Sequence, residues 1–417
     1  MTHDRTARLA RRALRTLATA IVVAAAIPAA VTAQSDRGGT VPTGVPPVTP
    51  TPGASAFNGN GMWIWVLPRT YGGNIAKITA KARANNIGTL FIKSGDGVSA
   101  WKQFSPQLVS ALHAQGFRVC GWQYVYGSRP LAEAYVSARA KAAGADCFAI
   151  DAESEYEGRY RAADQYMTKL RALVGPSFPI SLAGFPYVDY HPAFPYSVFL
   201  APGAAQYNQP QMYWQAIGTS VDQNFAHTYV NNRLYKRAIY PLGQTYDRAP
   251  PAQIRRFRQV ARAYGAGGVS WWVWQETLGA AWTAVSVQVA ALSQYRSASS
   301  YPVLHRRARG DQVVWAQQLL YGAGQQGPID GVFGAQMVKA VAAFQAAHGL
   351  PATGLLDNST WPVLLRSTPA RVHWRPYRRG VKAYVAHAAQ RRGAALSLPA
   401  PRSASLPAVR REIPRHR

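Results

Sequence analysis

A (β/α)8 barrel followed by a small helical module is the fold class the sequence predicts, and three observations predict it. Between Phe57 and about Ser297, short apolar, aromatic-rich runs alternate with longer stretches of helical periodicity. Strand followed by helix, repeated eight times in about 240 residues, is what a closed parallel barrel needs. Beyond a composition break near Ser297-Ala-Ser-Ser-Tyr301, only helical periodicity remains, over a block of about sixty residues. A doubly wound open sheet is the alternative, but no Gly-rich phosphate loop follows the first run.

The eight runs are GMWIWV at 61–66, TLFIK at 89–93, RVCGWQY at 118–124, CFAID at 147–151, PISLA at 179–183, PQMYW at 210–214, AIYPL at 238–242 and GVSWWVW at 268–274. Helical patterns over 75–85, 106–115, 131–143 and 252–264 lie between several of them. The barrel is therefore expected over 57–297. A linker at 298–308 and a module at 309–368 follow. The module's apolar positions are Val313, Val314, Leu319 and Leu320, then Val338, Val341 and Phe344. A turn-rich insert, PIDGVFG at 328–334, separates the two sets.

The flanks read differently. Arg5, Arg8, Arg11, Arg12 and Arg15 precede an apolar stretch at 17–31, and small residues at 31–33 suit a cleaving peptidase, so 1–33 is expected to be an export signal. Arg11-Arg12 also resembles a twin-arginine signal. The apolar stretch falls short of the roughly 20 residues a membrane span needs, and no stable span is expected; a retained anchor is the alternative. Residues 34–56, rich in Pro, Thr and Gly, should form an extended spacer.

The chain of 417 residues carries a formal charge of +28, from 46 basic and 18 acidic side chains. Thirteen of the basic residues lie from Arg366 onward, against Glu412 as the sole acid. A tail at 369–417 is accordingly expected to be disordered and to bind anionic wall polymers electrostatically; nucleic acid is not the expected partner. Cys120 and Cys147 are the two cysteines, and both fall in strand-like runs; one bridge or two buried thiols fit equally. No Cys/His cluster has metal-ligand spacing, so no metal and no cofactor are expected.

Against so basic a chain, the acidic stretch AIDAESEYE at 149–157 stands out. Alternation along a strand puts Phe148, Ile150 and Ala152 on the face toward the helices, and Asp151 and Glu153 on the other. The two acids would then point inward at the carboxyl end of the fourth strand, the rim where such barrels collect their catalytic residues. Two carboxyls that close raise each other's proton affinity, which suits glycosidic cleavage: one acid stays protonated while another stays ionised. Glu153 takes the acid role through its longer reach. Asp151 would orient it, or hold a substrate acetamido group that itself attacks. The bland alternative is a salt bridge to Lys93.

Aromatic planes with polar edges stack on sugar rings. Candidate sugar contacts are Trp63 and Trp65 on strand one, Lys93, Tyr124, Tyr126, Tyr213, Gln244 and Tyr246 at other strand ends, and Trp272 and Trp274 on strand eight. Glu276, on the same face as Trp272 and Trp274, joins Asp247 and Asp189 as candidates for a third carboxylate.

Two resemblances bear on function. GDQVV from Gly310, QQLL at 317–320, IDGVFG at 329–334, AVAAFQ at 340–345, Gly349-Leu350 and TWPVL at 360–364 together resemble the type 1 peptidoglycan-binding domain, a three-helix module. The likeness singles out Asp330, Gly331, Phe333, Gly334, Phe344, Gln345 and Trp361. Met337 stands where the family has Thr, and Thr353 where it has Asp. The barrel, with Asp151-Ala-Glu153 on its fourth strand and a Trp-rich eighth, resembles the glycoside hydrolases of families 25 and 18. It departs from the former at Trp63-Ile-Trp65, where an aspartate is usual, and from the latter in lacking the acids upstream of Asp-x-Glu. The resemblances imply an exported, wall-associated glycan hydrolase acting on peptidoglycan or a related glycan. A degenerate barrel that only binds such a glycan is the alternative.

Overall fold

The computed structural model describes residues 55–374. The export signal, nearly all of the first spacer and the tail from residue 375 lie outside the described residues. Eight parallel staves form a barrel: β1 (Gly59–Ile64), β2 (Thr89–Asp96), β3 (Arg118–Val125), β4 (Cys147–Ala152), β5 (Ile180–Ala183), β6 (Tyr207–Asn208), β7 in two halves (Ala238–Ile239 and Leu242–Gln244), and β8 (Gly268–Trp272). The lower half of β7 pairs with β6 and its upper half with β8, while β8 pairs with β1, so the sheet closes on itself. A two-residue hairpin strand, Ser99–Ala100, folds back on β2.

Helices α1 (Ile75–Ala84), α2 (Pro106–Ala114), α3 (Pro130–Ala142), α4 (Tyr160–Val174), α5 (Tyr196–Phe199), α6 (Trp214–Ile217), α7 (Val221–Asn232), α8 (Pro251–Ala263) and α9 (Gly279–Ser286) surround it. Local signals start several of them. The Asn74 and Ser105 side chains cap α1 and α2, Pro106 sits where no amide partner is needed, and Ser220 with Gln223 makes a reciprocal capping box on α7. All four helices expected between strands form within a residue or two of their expected bounds.

The sixth stave is the exception. It was expected at 210–214 but pairs at 207–208, because Pro210 has no amide to donate to a ladder. Only a single bridge, Gln211 with Leu242, continues it before Trp214 opens α6.

Alternation sorts the core. Phe148 and Ile150 of β4 pack outward in an apolar layer with α4, while Cys147 and Ala149 point inward with Trp63, Phe91, Trp122 and Tyr240. Cys120 and Cys147, paired in register on β3 and β4, form a disulfide, which decides between the two alternatives the sequence left open. Inside the barrel, Ser181 Oγ donates to Gln209 Oε1 at 2.9 Å, and Ser270 Oγ accepts from Gln209 Nε2 at 2.9 Å and from Trp63 Nε1 at 3.0 Å. These bonds satisfy polar groups that water cannot reach.

The C-terminal module comprises α10 (Asp311–Gly322), α11 (Ala335–Ala347) and α12 (Trp361–Leu364). Its residues Val313, Trp315, Leu319, Phe333, Phe344 and Trp361 belong to the same apolar cluster as Tyr156, Tyr166, Phe194 and Phe199 of the barrel. Residues 298–304 between them form no helix or strand, yet the Arg233 guanidinium donates to the Ala298 and Ser299 carbonyls, and Leu304 bridges to Leu356.

Candidate active site

All eight staves run parallel, so their carboxyl ends share one rim. Asp151 is the penultimate residue of β4 and Glu153 follows its end, both on the inward face that Cys147 and Ala149 define. Gln211 ties them together: its Nε2 donates to Asp151 Oδ1 at 3.1 Å and to Glu153 Oε1 at 3.0 Å. One amide thus spans both carboxyls, which lie no farther apart than two hydrogen bonds. Gln211 is held by its own backbone N–H, which donates to the Gly184 carbonyl at 3.0 Å.

Burial raises the proton affinity of both acids. It pushes Glu153 up to about 7, a rise that the Gln211 amide opposes and the Glu155 charge reinforces. Asp151 is raised well above the usual carboxylate range by burial and then by Glu153, with Lys93 pulling the other way. The pair is suited to sharing one proton near neutral pH.

Lys93 does not bridge the pair. It is buried, donates to Asp96 Oδ2 at 2.8 Å, and sits 4.7 Å from the Trp101 ring and 4.8 Å from that of Trp122. Asp96 was not among the expected site residues. β2 was expected to end at Lys93, but a register shift between Lys93 and Gly95 carries the strand on and brings Asp96 back over the lysine. Tyr126 donates to Asp96 Oδ1 at 2.8 Å, and Tyr124 donates to Glu155 Oε2 at 2.7 Å. Burial first, and neighbouring carboxylates second, keep both phenols firmly protonated. The mouth therefore holds Asp96, Asp151, Glu153 and Glu155 around one lysine. Gln103, also missed, donates to the Trp65 and Lys93 carbonyls at 2.8 and 2.9 Å and so fixes the first two strand ends.

Trp65, Tyr124, Tyr126, Gln211, Tyr213 and Trp272 are each partly exposed and line the mouth. Trp272 packs 5.2 Å edge-on to Trp122, and Tyr213 stands edge-on to Tyr246 at 5.5 Å. Several other expected contacts are corrected. Trp63 is fully buried and fills the barrel, its indole N–H spent on Ser270. Trp274 is not on the face of Trp272: the chain leaves the strand for a short turn, and its ring packs outside the barrel on Trp282 at 4.8 Å. Gln244 is buried, with its oxygen taken by the amides of Gln215 and Ala216. Tyr246 is buried behind Tyr213. Of the candidate third carboxylates, Asp189 pairs with His227 at 2.7 Å, and Asp247 and Glu276 lie exposed on the loops past β7 and β8. Among the described residues no group of three or more His, Cys, Asp or Glu side chains could hold a metal ion.

In the module, most of the residues that the resemblance singles out are framework. Phe333, Phe344, Gln345 and Trp361 are buried. Two glutamines clamp two matching turns. Gln317 Oε1 accepts from the amides of Asp330 and Gly331, and its Nε2 donates to Asp330 Oδ1 at 2.8 Å. Gln345 Oε1 accepts from Gly354 N, and its Nε2 donates to Thr353 Oγ1 at 3.1 Å. Thr353 thus does the work of an aspartate, down to accepting from the amide two residues on, as Asp330 does. Gly331 and Gly354 both take positive φ, which the turns require. A hollow beside the first clamp is lined by Leu320, Gln325, Gln326, Pro328, Gln336 and Met337.

The fold and site together define a closed α/β barrel with two carboxyls paired through one amide in an aromatic mouth. Residues 309–364 match the model of the peptidoglycan binding domain family. No curated protein matches the chain. Solved structures similar to it include a chitinase from Chromobacterium violaceum (13% identity, 55% of this chain and 98% of that one, TM-score 0.38). A fungal endo-β-N-acetylglucosaminidase of glycosyl hydrolase family 18 is similar over 55% of this chain and 95% of its own (15% identity, TM-score 0.38). So is a chitinase-like agglutinin from Robinia pseudoacacia, over 54% and 98% (10% identity, TM-score 0.39). Likenesses of this degree decide nothing about chemistry.

Proposed function

We propose that the protein is an exported hydrolase of peptidoglycan or a related wall glycan. The observation that carries this is the Gln211 amide shared between Asp151 and Glu153, with Glu153 protonated up to about pH 7. Glu153 donates its proton to the leaving glycosidic oxygen. Asp151, beside it, supports the positive charge that develops on the sugar or on an attacking acetamido group. Trp65, Trp272, Tyr124, Tyr126 and Tyr213 supply stacking surfaces and hydrogen bonds for the sugar rings. The disulfide inside the barrel fits an oxidising compartment outside the cytoplasm.

The module match supports attachment to peptidoglycan, with the hollow beside Gln325 and Gln336 as the candidate contact. The basic tail would add a salt-sensitive hold on anionic wall polymers. Together they keep the barrel at high local concentration on an insoluble substrate. A barrel that binds glycan without cutting it is the second reading, favoured by the exposed positions of Asp247 and Glu276 on loops past the strand ends. Release of reducing ends from isolated peptidoglycan, measured for the wild type and Glu153→Gln, decides between them. Wild-type release that the substitution abolishes supports hydrolysis; wall co-sedimentation with no release by either leaves only binding.

A further inference from the structure

The first ten residues of the module's first helix, 311 to 320, are buried all the way round. One side faces the rest of the module and the other faces the barrel, which is more than a tethered binder requires. Trp315 Nε1 donates to the Leu234 carbonyl at 2.7 Å, Gln312 Nε2 to Asn231 Oδ1 at 2.8 Å, and Lys236 Nζ to the Leu365 carbonyl at 2.8 Å.

At the head of that helix, the fully buried Asp311 is the most tightly held group. Its Oδ2 accepts from Ser197 N at 2.8 Å and from the Tyr235 hydroxyl at 2.7 Å, and its Oδ1 accepts from Ser197 Oγ at 2.6 Å. The Tyr160 hydroxyl lies beside the same carboxylate. A buried charge is tolerated only when its oxygens are satisfied in this way. Asp311 thus joins the start of α5 to the turn before β7, next to the start of α4.

The connection continues to the acid pair. The Asp311 amide donates to the Pro192 carbonyl at 2.7 Å, and the next carbonyl, Ala193, accepts from Gly158 N at 2.7 Å. Glu157 bonds His191 at 2.9 Å. Gly158 closes the loop that begins at Glu153, and within that loop Tyr156 N donates to the Glu153 carbonyl at 3.0 Å. The segment at 191–194 is therefore held on one side by the module and holds the acid-bearing loop on the other. Gly310 permits the close approach: at φ +116° an added Cβ would stand 2.6 Å from Pro192 Cβ.

We propose that Asp311 is a positioning residue for Glu153: through the segment at 191–194 the module braces the loop at 153–160, and so supports the acid pair from behind as well as anchoring the barrel. This rests on the hydrolase reading for its kinetic consequence but not for its structural one. The full-length chain is tested as Asp311→Ala and Gly310→Ala, with Tyr235→Phe as a milder variant that keeps both Ser197 bonds. Amide hydrogen exchange should rise about tenfold or more at 154–160 and 191–197 in the first two variants, and less in the third. With a soluble wall-glycan fragment, kcat should fall about tenfold with KM little changed, because the acid is misplaced and the stacking surfaces are not. Unchanged exchange at 154–160, while exchange at 311–322 rises, overturns the proposal, as does an equal loss in kcat and wall affinity. If Asp311→Ala does not fold, Tyr235→Phe decides by the same exchange criterion. A wild type that cuts nothing removes the hydrolase reading, and the exchange data still judge the brace.

Discussion

Glu153 and Asp151 cannot both ionise freely while buried and adjacent, and the pH dependence follows from that. The Glu153 carboxyl is raised to about 7, so below that pH it holds the proton that the proposed cleavage needs. Hydrolysis should fall as pH rises through about 7, and Glu153→Gln should lower it by about 10²- to 10⁴-fold below that pH, with the gap narrowing above it. The same shift affects stability. A carboxyl with a raised folded pKa favours folding below its unfolded pKa, and this contribution is lost as pH rises through the folded value. Glu153→Gln should therefore raise the melting temperature more at pH 8 than at pH 5. Gln211 favours the ionised acids by donating to both. In Gln211→Ala the alkaline limb of the pH–rate profile should move upward, with kcat down about tenfold as the pair loses alignment. An unmoved limb would separate Gln211 from the acid's titration.

Among the elements, β3 and β4 carry the most informative pairing. Their disulfide joins residues 27 apart in sequence, and the chain-entropy account assigns such a loop about 3–4 kcal/mol. Cys120→Ala with Cys147→Ala should lower the melting temperature accordingly, while adding reductant to the wild type should reproduce much of the loss. In the module, Thr353→Asp should be nearly neutral because either side chain accepts from Gln345 and Leu355. Thr353→Val should cost about 1 kcal/mol in denaturant unfolding, since the Leu355 amide loses its acceptor and Gln345 Nε2 loses one of three. The element that sequence patterning misplaced is β6. An apolar, aromatic run at 210–214 looks like a strand, but its proline ends the ladder early, Trp214 packs under α8, and Gln211 is left free to reach the acids. Trp274 was misassigned for a related reason: period-two alternation holds only while the chain stays extended, and β8 ends at Trp272.

For the whole molecule, the docking of module on barrel changes what truncation would do. Removing 309–368 would take Val313, Trp315 and Phe333 from a shared core and leave Tyr196, Phe199 and Tyr235 facing water. The outcome expected is loss of folded barrel, seen as aggregation or a large drop in melting temperature, where a free tether would leave the barrel's unfolding unchanged. The intact described region should unfold in one transition. Removing the tail from residue 375 is a cleaner change. It should weaken wall co-sedimentation at low salt and have little effect at high salt, because exposed charges are screened within about 10 Å at 0.1 M ionic strength. A salt-independent loss would assign the tail a specific contact.

The amino-acid sequence by itself determined the alternation of strands and helices, the inward direction of Asp151 and Glu153, and the extent of the peptidoglycan-binding family match. These depend on periodicity and on turn chemistry, which act over a few residues. Only the tertiary structure decided that Gln211 and Asp96 join the site, that Trp63, Trp274 and the module's aromatic residues are packing, that the two cysteines bond, and that Asp311 is locked into the barrel flank. Each of those pairs groups from distant parts of the chain, and such a contact exists only once the barrel has closed and buried them together.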